Sequence, residues 1–218
     1  MKNLFNFLLF DPLRNTLVFL YENITFGDLG FAIILLTVIV RLALYPLFYK
    51  SLKQQRVLKK IQPHIHAIQA KHKDSREEQG KALMALYKEH GVNPLMSLSL
   101  IFVQIPILIA LYQVFLVPRP EFTSLFLGVI DLHSRSIILV ALAAILQYVL
   151  GVMSIAGNAK DTSPAAQTAR NMVLIGPVIT VAVLWSMPAA IGVYWVTTTL
   201  FSILQQLHIE RIFLHGTH

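Results

Sequence analysis

The sequence predicts an all-α integral membrane protein with five transmembrane helices, a cytoplasmic helical hairpin and an N-terminal interfacial amphipathic helix. Three observations predict it. Of the 218 residues, 56% are hydrophobic and only 13% charged, against about 25% charged in soluble domains. The stretch Gly30 to Phe48, GFAIILLTVIVRLALYPLF, would rise about 28 Å as a helix, close to the roughly 30 Å hydrocarbon core of a bilayer. Ten of the 18 Lys and Arg residues crowd into one stretch, Lys50 to His90, as expected of a segment left on the cytoplasmic side.

In chain order, residues 1–28 form the outer-side interfacial helix. Leu13, Leu17, Leu20 and Tyr21 recur at helical spacing while Arg14, Asn15 and Glu22 point elsewhere, the pattern of a helix lying in the interface plane. Asp11 and Pro12 interrupt the early apolar patch and no small-residue cleavage site follows, so no signal peptide is expected. Residues 29–49 form the first span. Residues 50–93 form the hairpin: Leu58, Ile61, Ile65 and Ile68 make one narrow apolar stripe, Leu83, Leu86 and Tyr87 a second, and two such helices fold back on one another. Ser75 with Glu78 is a capping box that starts the second helix, while Gly91 and Pro94 stop it. Pro63 should kink or break the first helix.

The second span is 94–117, with Gln104 and Pro106 near its middle, followed by an outer loop, 118–135, holding Pro118, Arg119, Pro120, Glu121 and Asp131. The third span, 136–156, contains Gln147, Tyr148 and Gly151; a polar cytoplasmic loop, 157–170, follows it. The fourth span, 171–187, ends at Pro188, because a residue before proline is pushed out of the helical region. The fifth is 188–208, and 209–218 is a cytoplasmic tail. Five spans put the ends on opposite sides. The hairpin, Lys160, Arg170 and Arg211 outnumber Lys2, Arg14, Arg119 and Arg135, which places the N-terminus outside and the C-terminus in the cytoplasm of a bacterial plasma membrane.

Arg41 is the functional pointer. It stands inside the first apolar run, where a guanidinium costs about 2.5–3.5 kcal/mol on insertion scales and marks a function by default. All 11 carboxylates lie outside the long apolar runs, so its counter-group must be a neutral acceptor, water in a cavity, or a carboxylate that arrives with something else. Thr37, Arg41 and Tyr45 share a face; so do Ser97 and Gln104, and Tyr194, Thr198, Ser202 and Gln205 or Gln206. Polar faces on several helices, one with a cation, indicate a wet cavity inside the membrane. The plain alternative is polar glue between helices, worth about 0.6 kcal/mol a pair; it accounts for Thr and Ser but poorly for Arg41.

No metal or other cofactor is expected. The chain has no cysteine, and His64 and His66, two apart, do not share a helix face. Nor is an enzyme expected: the spans hold no aspartate pair and no His-Glu-x-x-His helix, His208 has no convincing nucleophile beside it, and no phosphate-binding glycine loop occurs. A small-solute or anion transporter using Arg41 is the alternative, although internal repeats and paired broken helices are lacking.

The runs VIVRLALYPL, IQPHIHAIQAKHKD, LMALYKEHGVNPL, VQIPILIALY and MPAAIGVYWVTTTLFSILQQ, in this order and spacing, resemble the successive motifs of the YidC-type membrane protein insertase family, which includes the mitochondrial oxidase-assembly and chloroplast insertases. The resemblance covers about residues 10 to 210. It implies a five-helix core with a hydrophilic groove open to cytoplasm and lipid and closed on the outer side, in which Arg41 attracts the short acidic translocated segments of nascent membrane proteins. It matches Arg41, Gln104, Tyr194 and Trp195 to the family's groove, to which the polar residues Thr37, Tyr45, Gln147, Thr198 and Ser202 of the spans are added as candidates, and it implies an essential mobile hairpin, here with Lys59, Lys60, Pro63, Lys71 and Lys73. Membrane lipids, the ribosome and the Sec translocon are the further partners; no small-molecule substrate is implied. There are departures. Met96, Ser97 and Leu100 stand where the family often has two glycines and a proline, and Thr198 and Thr199 where it often has Ser-Asn. The large outer-side domain of Gram-negative members and a long basic C-terminal tail have no counterpart in these residues, which weakens the expectation of ribosome binding through the tail.

Overall fold

The structure is a computed structural model that describes residues 2–93, 96–116, 122, 125–155 and 164–215. Its elements are α1 (Lys2–Phe5), a π-helical turn (Asn6–Phe10), α2 (Asp11–Asn23), α3 (Leu29–Ala43), α4 (Tyr45–Lys71), α5 (Arg76–Glu89), α6 (Met96–Leu116), the strands β1 (Leu125–Phe126) and β2 (Ile130–Asp131), α7 (Ile137–Ile155), α8 (Pro164–Leu184) and α9 (Ala189–His215). They fall into two compact units, Met1–Leu44 with Ile105–His218, and Tyr45–Gln104.

In the larger unit α2 packs on α3, α3 on α9, α9 on α7, and α7 on α8. Leu17, Leu20 and Tyr21 of α2 are buried, as are Ala32, Ile33 and Leu36 of α3; the apolar positions of α2 three and four apart therefore face protein, and its exposed face carries Phe19. α7 has a mean hydropathy of 2.4 with only 17% of its apolar window buried, and it alone among the described helices is long and apolar enough to cross a membrane. α3 and α4 qualify only if taken together as one broken span, and the apolar helical stretches Gln104–Gln113 and Arg170–Leu184 are shorter.

Several boundaries differ from those read off the sequence. The first helix stops at Ala43 rather than continuing to Phe48: Leu44 caps it, its N–H donating to Val40 O and Leu42 O, and Pro46, which has no N–H, sits at the start of the next helix where none is needed. α4 runs unbroken through Pro63. α8 begins at Pro164, within the segment read as a polar loop, since proline suits a first helical turn. α9 continues to His215, past the expected end of the fifth span. Pro94, Pro118, Arg119, Pro120 and Glu121 lie outside the described residues.

In the smaller unit Ile61, Leu86 and Val92 are buried against Val57, Leu58, Ile65, Ile68 and Tyr87, so α4 and α5 meet through their narrow apolar stripes. Ser75 Oγ accepts from Glu78 N at 3.3 Å. The Glu78 carboxylate does not reach back to complete a capping box; it meets His72 Nδ1 at 3.2 Å. Gly91, with φ +62, turns the chain out of α5.

One junction pins the segment between α6 and α7. Asp28 Oδ1 accepts from Phe31 N at 3.0 Å, capping α3, and its Oδ2 accepts from Leu127 N at 3.1 Å, at the turn of the β1–β2 ribbon. Beside it Phe126 lies flat on Gly30, where any Cβ would run into the ring. At the start of α7, the loop that follows β2 takes up the first free donors of α9: Ala189 N donates to Ser134 O at 2.8 Å and Ala190 N to Leu132 O at 3.0 Å. Replacing Asp28 by Ala should lower stability by about 1–2 kcal/mol, the worth of a helix cap, and Asp28→Asn by less, measured by thermal unfolding in detergent. Gly30→Ala should destabilise more, and the loss should largely vanish in the Gly30→Ala, Phe126→Ala double variant if the ring contact is its cause.

Candidate functional site

Arg41 lies in the last turn of α3, not midway along a continuous helix, because the chain breaks three residues later. The carbonyls freed at a helix C-terminus carry partial negative charge, so the break itself supplies part of the cation's surroundings. The side chain is 6% exposed and interacts electrostatically with Tyr194 of α9, which is 4% exposed. In this conformation the side chain is enclosed, with α9 packed on α3.

Thr37, one turn earlier on α3, is 2% exposed and donates its hydroxyl to Ile33 O at 2.7 Å. On α9, Thr199 donates to Trp195 O at 2.9 Å and Ser202 to Thr198 O at 3.0 Å. Thr198 Oγ1 and Gln205 Nε2 are buried and meet no hydrogen-bonding group among the described residues. Gln206, also buried, donates to Glu210 Oε1 at 3.2 Å.

Arg41 meets Tyr194, and Thr37 lies on the same face of α3. Trp195 does not accompany Tyr194: a step of one residue turns it to another side of α9, where with Leu108, Tyr112, Val183, Met187 and Ile191 it lines an apolar cleft of about 130 Å3 between α6, α8 and α9. Gln147 packs its side chain against Gly176 in the seam of α7 and α8. Tyr45 and Gln104 belong to the smaller unit; Tyr45 opens α4 and stacks on Tyr49 with ring centroids 6.4 Å apart, and Gln104 is half-buried. Ser97 lies in a part of α6 whose side chains are not described. Lys60, Pro63, Lys71 and Lys73 are exposed and Lys59 is half-exposed. Buried hydroxyls outside the expected groove include Thr25, Ser51 and Thr180; a hydroxyl within or beside an apolar run is a signal too common to single them out.

A mostly helical fold with one helix apolar enough to span a bilayer and a guanidinium turned inward agrees with an all-α membrane protein. The chain belongs to the 60Kd inner membrane protein family, which it matches over residues 19–215. It is 37% identical over 183 residues to the membrane protein insertase YidC of Clostridium tetani, a match covering 84% of this chain and 82% of that protein. To the Geobacter sulfurreducens protein of the same name it is 29% identical over 205 residues, 94% of this chain and 37% of that one. To that of Francisella philomiragia it is 33% identical over 193 residues, 88% and 34%. The chain thus spans most of the clostridial relative and little more than a third of the other two. These relatives lend no support to a transporter.

A buried hydroxyl without a partner costs about 1–3 kcal/mol. Thr198→Val should therefore leave the melting temperature unchanged or raise it, whereas Thr199→Val should lower it by the value of one hydrogen bond; a clear loss for Thr198→Val would show that its hydroxyl is satisfied.

Proposed function

We propose that this protein is an insertase and chaperone for membrane proteins, and that Arg41 receives acidic residues of the segment its client must carry across the bilayer. The reading is supported by membership of the family, by relatives named membrane protein insertase, and above all by a single observation: a guanidinium is kept in the last turn of an apolar helix, facing Tyr194 of α9.

The physics is that of a shortened barrier. A polar peptide cannot cross hydrocarbon unaided, since each unsatisfied backbone group costs several kcal/mol. A polar cavity reaching partway through leaves less apolar thickness to cross. Within it a carboxylate is drawn to Arg41 more strongly than in water, because the surrounding dielectric is low. The apolar cleft at Trp195 and Tyr112 offers aliphatic and aromatic side chains of the client a surface while its polar part is held elsewhere. The driving energy comes from burying client helices in lipid and from the membrane potential, about 2.3 kcal/mol per charge per 100 mV.

Arg41 is enclosed in the resting conformation, so the proposal includes an opening step in which α3 and α9 admit water and client. Five spans, an outer N-terminus and a cytoplasmic C-terminus complete the arrangement, with α4 and α5 as the cytoplasmic hairpin. Lys59, Lys60, Lys71 and Lys73 then face the anionic cytoplasmic leaflet, the ribosome and the Sec translocon.

Arg41→Ala should reduce insertion of a client with an acidic translocated tail by at least about tenfold, the scale of one charge-assisted hydrogen bond, and spare one with a neutral tail; Arg41→Lys should retain part of the activity. Equal loss for both tails would remove the electrostatic step. Because the chain contains no cysteine, a single Cys at position 198 reports the opening directly. Its labelling by a membrane-impermeant thiol reagent should rise when a stalled client is bound, and unchanged labelling would exclude the opening.

A further inference from the structure

The geometry points to a phospholipid headgroup site at the start of α7. A cavity of about 240 Å3 is lined by Arg135, Ser136, Ile137, Val140 and Trp185, none of which lines the apolar cleft at Trp195. Three features identify its occupant.

The first is depth. Arg135 stands two residues before α7, the one described helix that is long and apolar enough to cross a membrane by itself. Wherever that helix enters the hydrocarbon, Arg135 must be at the boundary with water, the level at which lipid phosphates lie and at which tryptophan is enriched. The second is unspent hydrogen-bonding capacity. Neither the Arg135 guanidinium nor the Trp185 indole N–H makes a hydrogen bond or ion pair with another of the described residues. Ser136 Oγ accepts from Leu139 N at 3.4 Å, which leaves its O–H to donate as well. Two donors of this kind at one cavity, with no carboxylate in its lining, are suited to a phosphodiester, which guanidinium groups bind in a forked, charge-assisted geometry.

The third feature is an apolar path leading away. Ile137 and Ile138, both 71% exposed, are followed on α7 by exposed Leu142 and Ile145. Ile138, Leu142 and Ile145 recur at spacings of four and three and so lie on one side of the helix. A free phosphate would have no use for that path, whereas an acyl chain would lie along it. The single cation and the lack of a carboxylate favour an anionic headgroup, and phosphatidylglycerol is the lipid we assign.

Full-length protein reconstituted in nanodiscs of mixed phosphatidylglycerol and phosphatidylethanolamine, then released into mild detergent, should retain phosphatidylglycerol preferentially by native mass spectrometry. Arg135→Gln should lower that retention roughly tenfold, Arg135→Lys should keep much of it, and Trp185→Ala should lower it while leaving the fold intact by thermal unfolding. A second readout uses the low tryptophan content: with Trp195→Phe, Trp185 is the sole remaining tryptophan, and phosphatidylglycerol with brominated chains should quench it saturably, without competition from inorganic phosphate. Undiminished retention in Arg135→Gln, equal retention of the two lipids, or displacement by inorganic phosphate would each overturn the assignment, the last in favour of a simple anion site.

Discussion

A guanidinium in the last turn of an apolar helix has to be solvated by the protein if it is not to be solvated by water, and much of the larger unit is arranged around that need. Moving such a group out of water costs several kcal/mol even after relaxation, so something must replace the lost hydration. The helix ends at Ala43, so Arg41 stands in its last turn, where a cation is favoured by the helix dipole. α9 supplies Tyr194. Thr37 takes no part in competition for these groups, since its hydroxyl is already spent on the backbone of its own helix.

The same constraint explains the division of labour on α9. If the residues facing Arg41 were also the ones that met lipid or client, the cation would lose its protein shell whenever that surface was used. Tyr194 and Trp195 avoid the conflict by facing different ways, the first enclosed against α3 and the second at the apolar cleft. A polar and an apolar environment are thus set side by side by adjacent residues of one helix.

Much of this was legible in the sequence wherever a pattern repeats. The helical character followed from apolar run lengths, and the stripes Leu17, Leu20 and Tyr21, and Ile61, Leu86 and Tyr87, are the residues that pack. Arg41 was legible as an exception to its surroundings. Helix ends were read less well. The continuity of α4 through Pro63 depends on how flanking turns absorb the missing hydrogen bond, and the start of α8 at Pro164 on a first-turn preference that a loop-like composition concealed. The enclosure of Arg41 was not legible, because periodicity identifies a shared face but not whether a neighbouring helix has closed over it. Asp28 was overlooked for a related reason. An acidic residue before an apolar run signals a cap, but its second oxygen holds Leu127, ninety-nine positions away, and no local pattern announces so distant a partner.

The hydroxyls of α9 have one more implication. Thr197, Thr199 and Ser202 each donate to a carbonyl four residues back on the same helix, at 2.8, 2.9 and 3.0 Å. Polar side chains ordinarily lock membrane helices together by bonding across the gap, but these are satisfied internally and owe nothing to a neighbour. These three hydroxyls therefore hold α9 to itself, and what holds it to its neighbours is its start, where Ala189 and Ala190 donate to Ser134 O and Leu132 O, and the meeting of Tyr194 with Arg41.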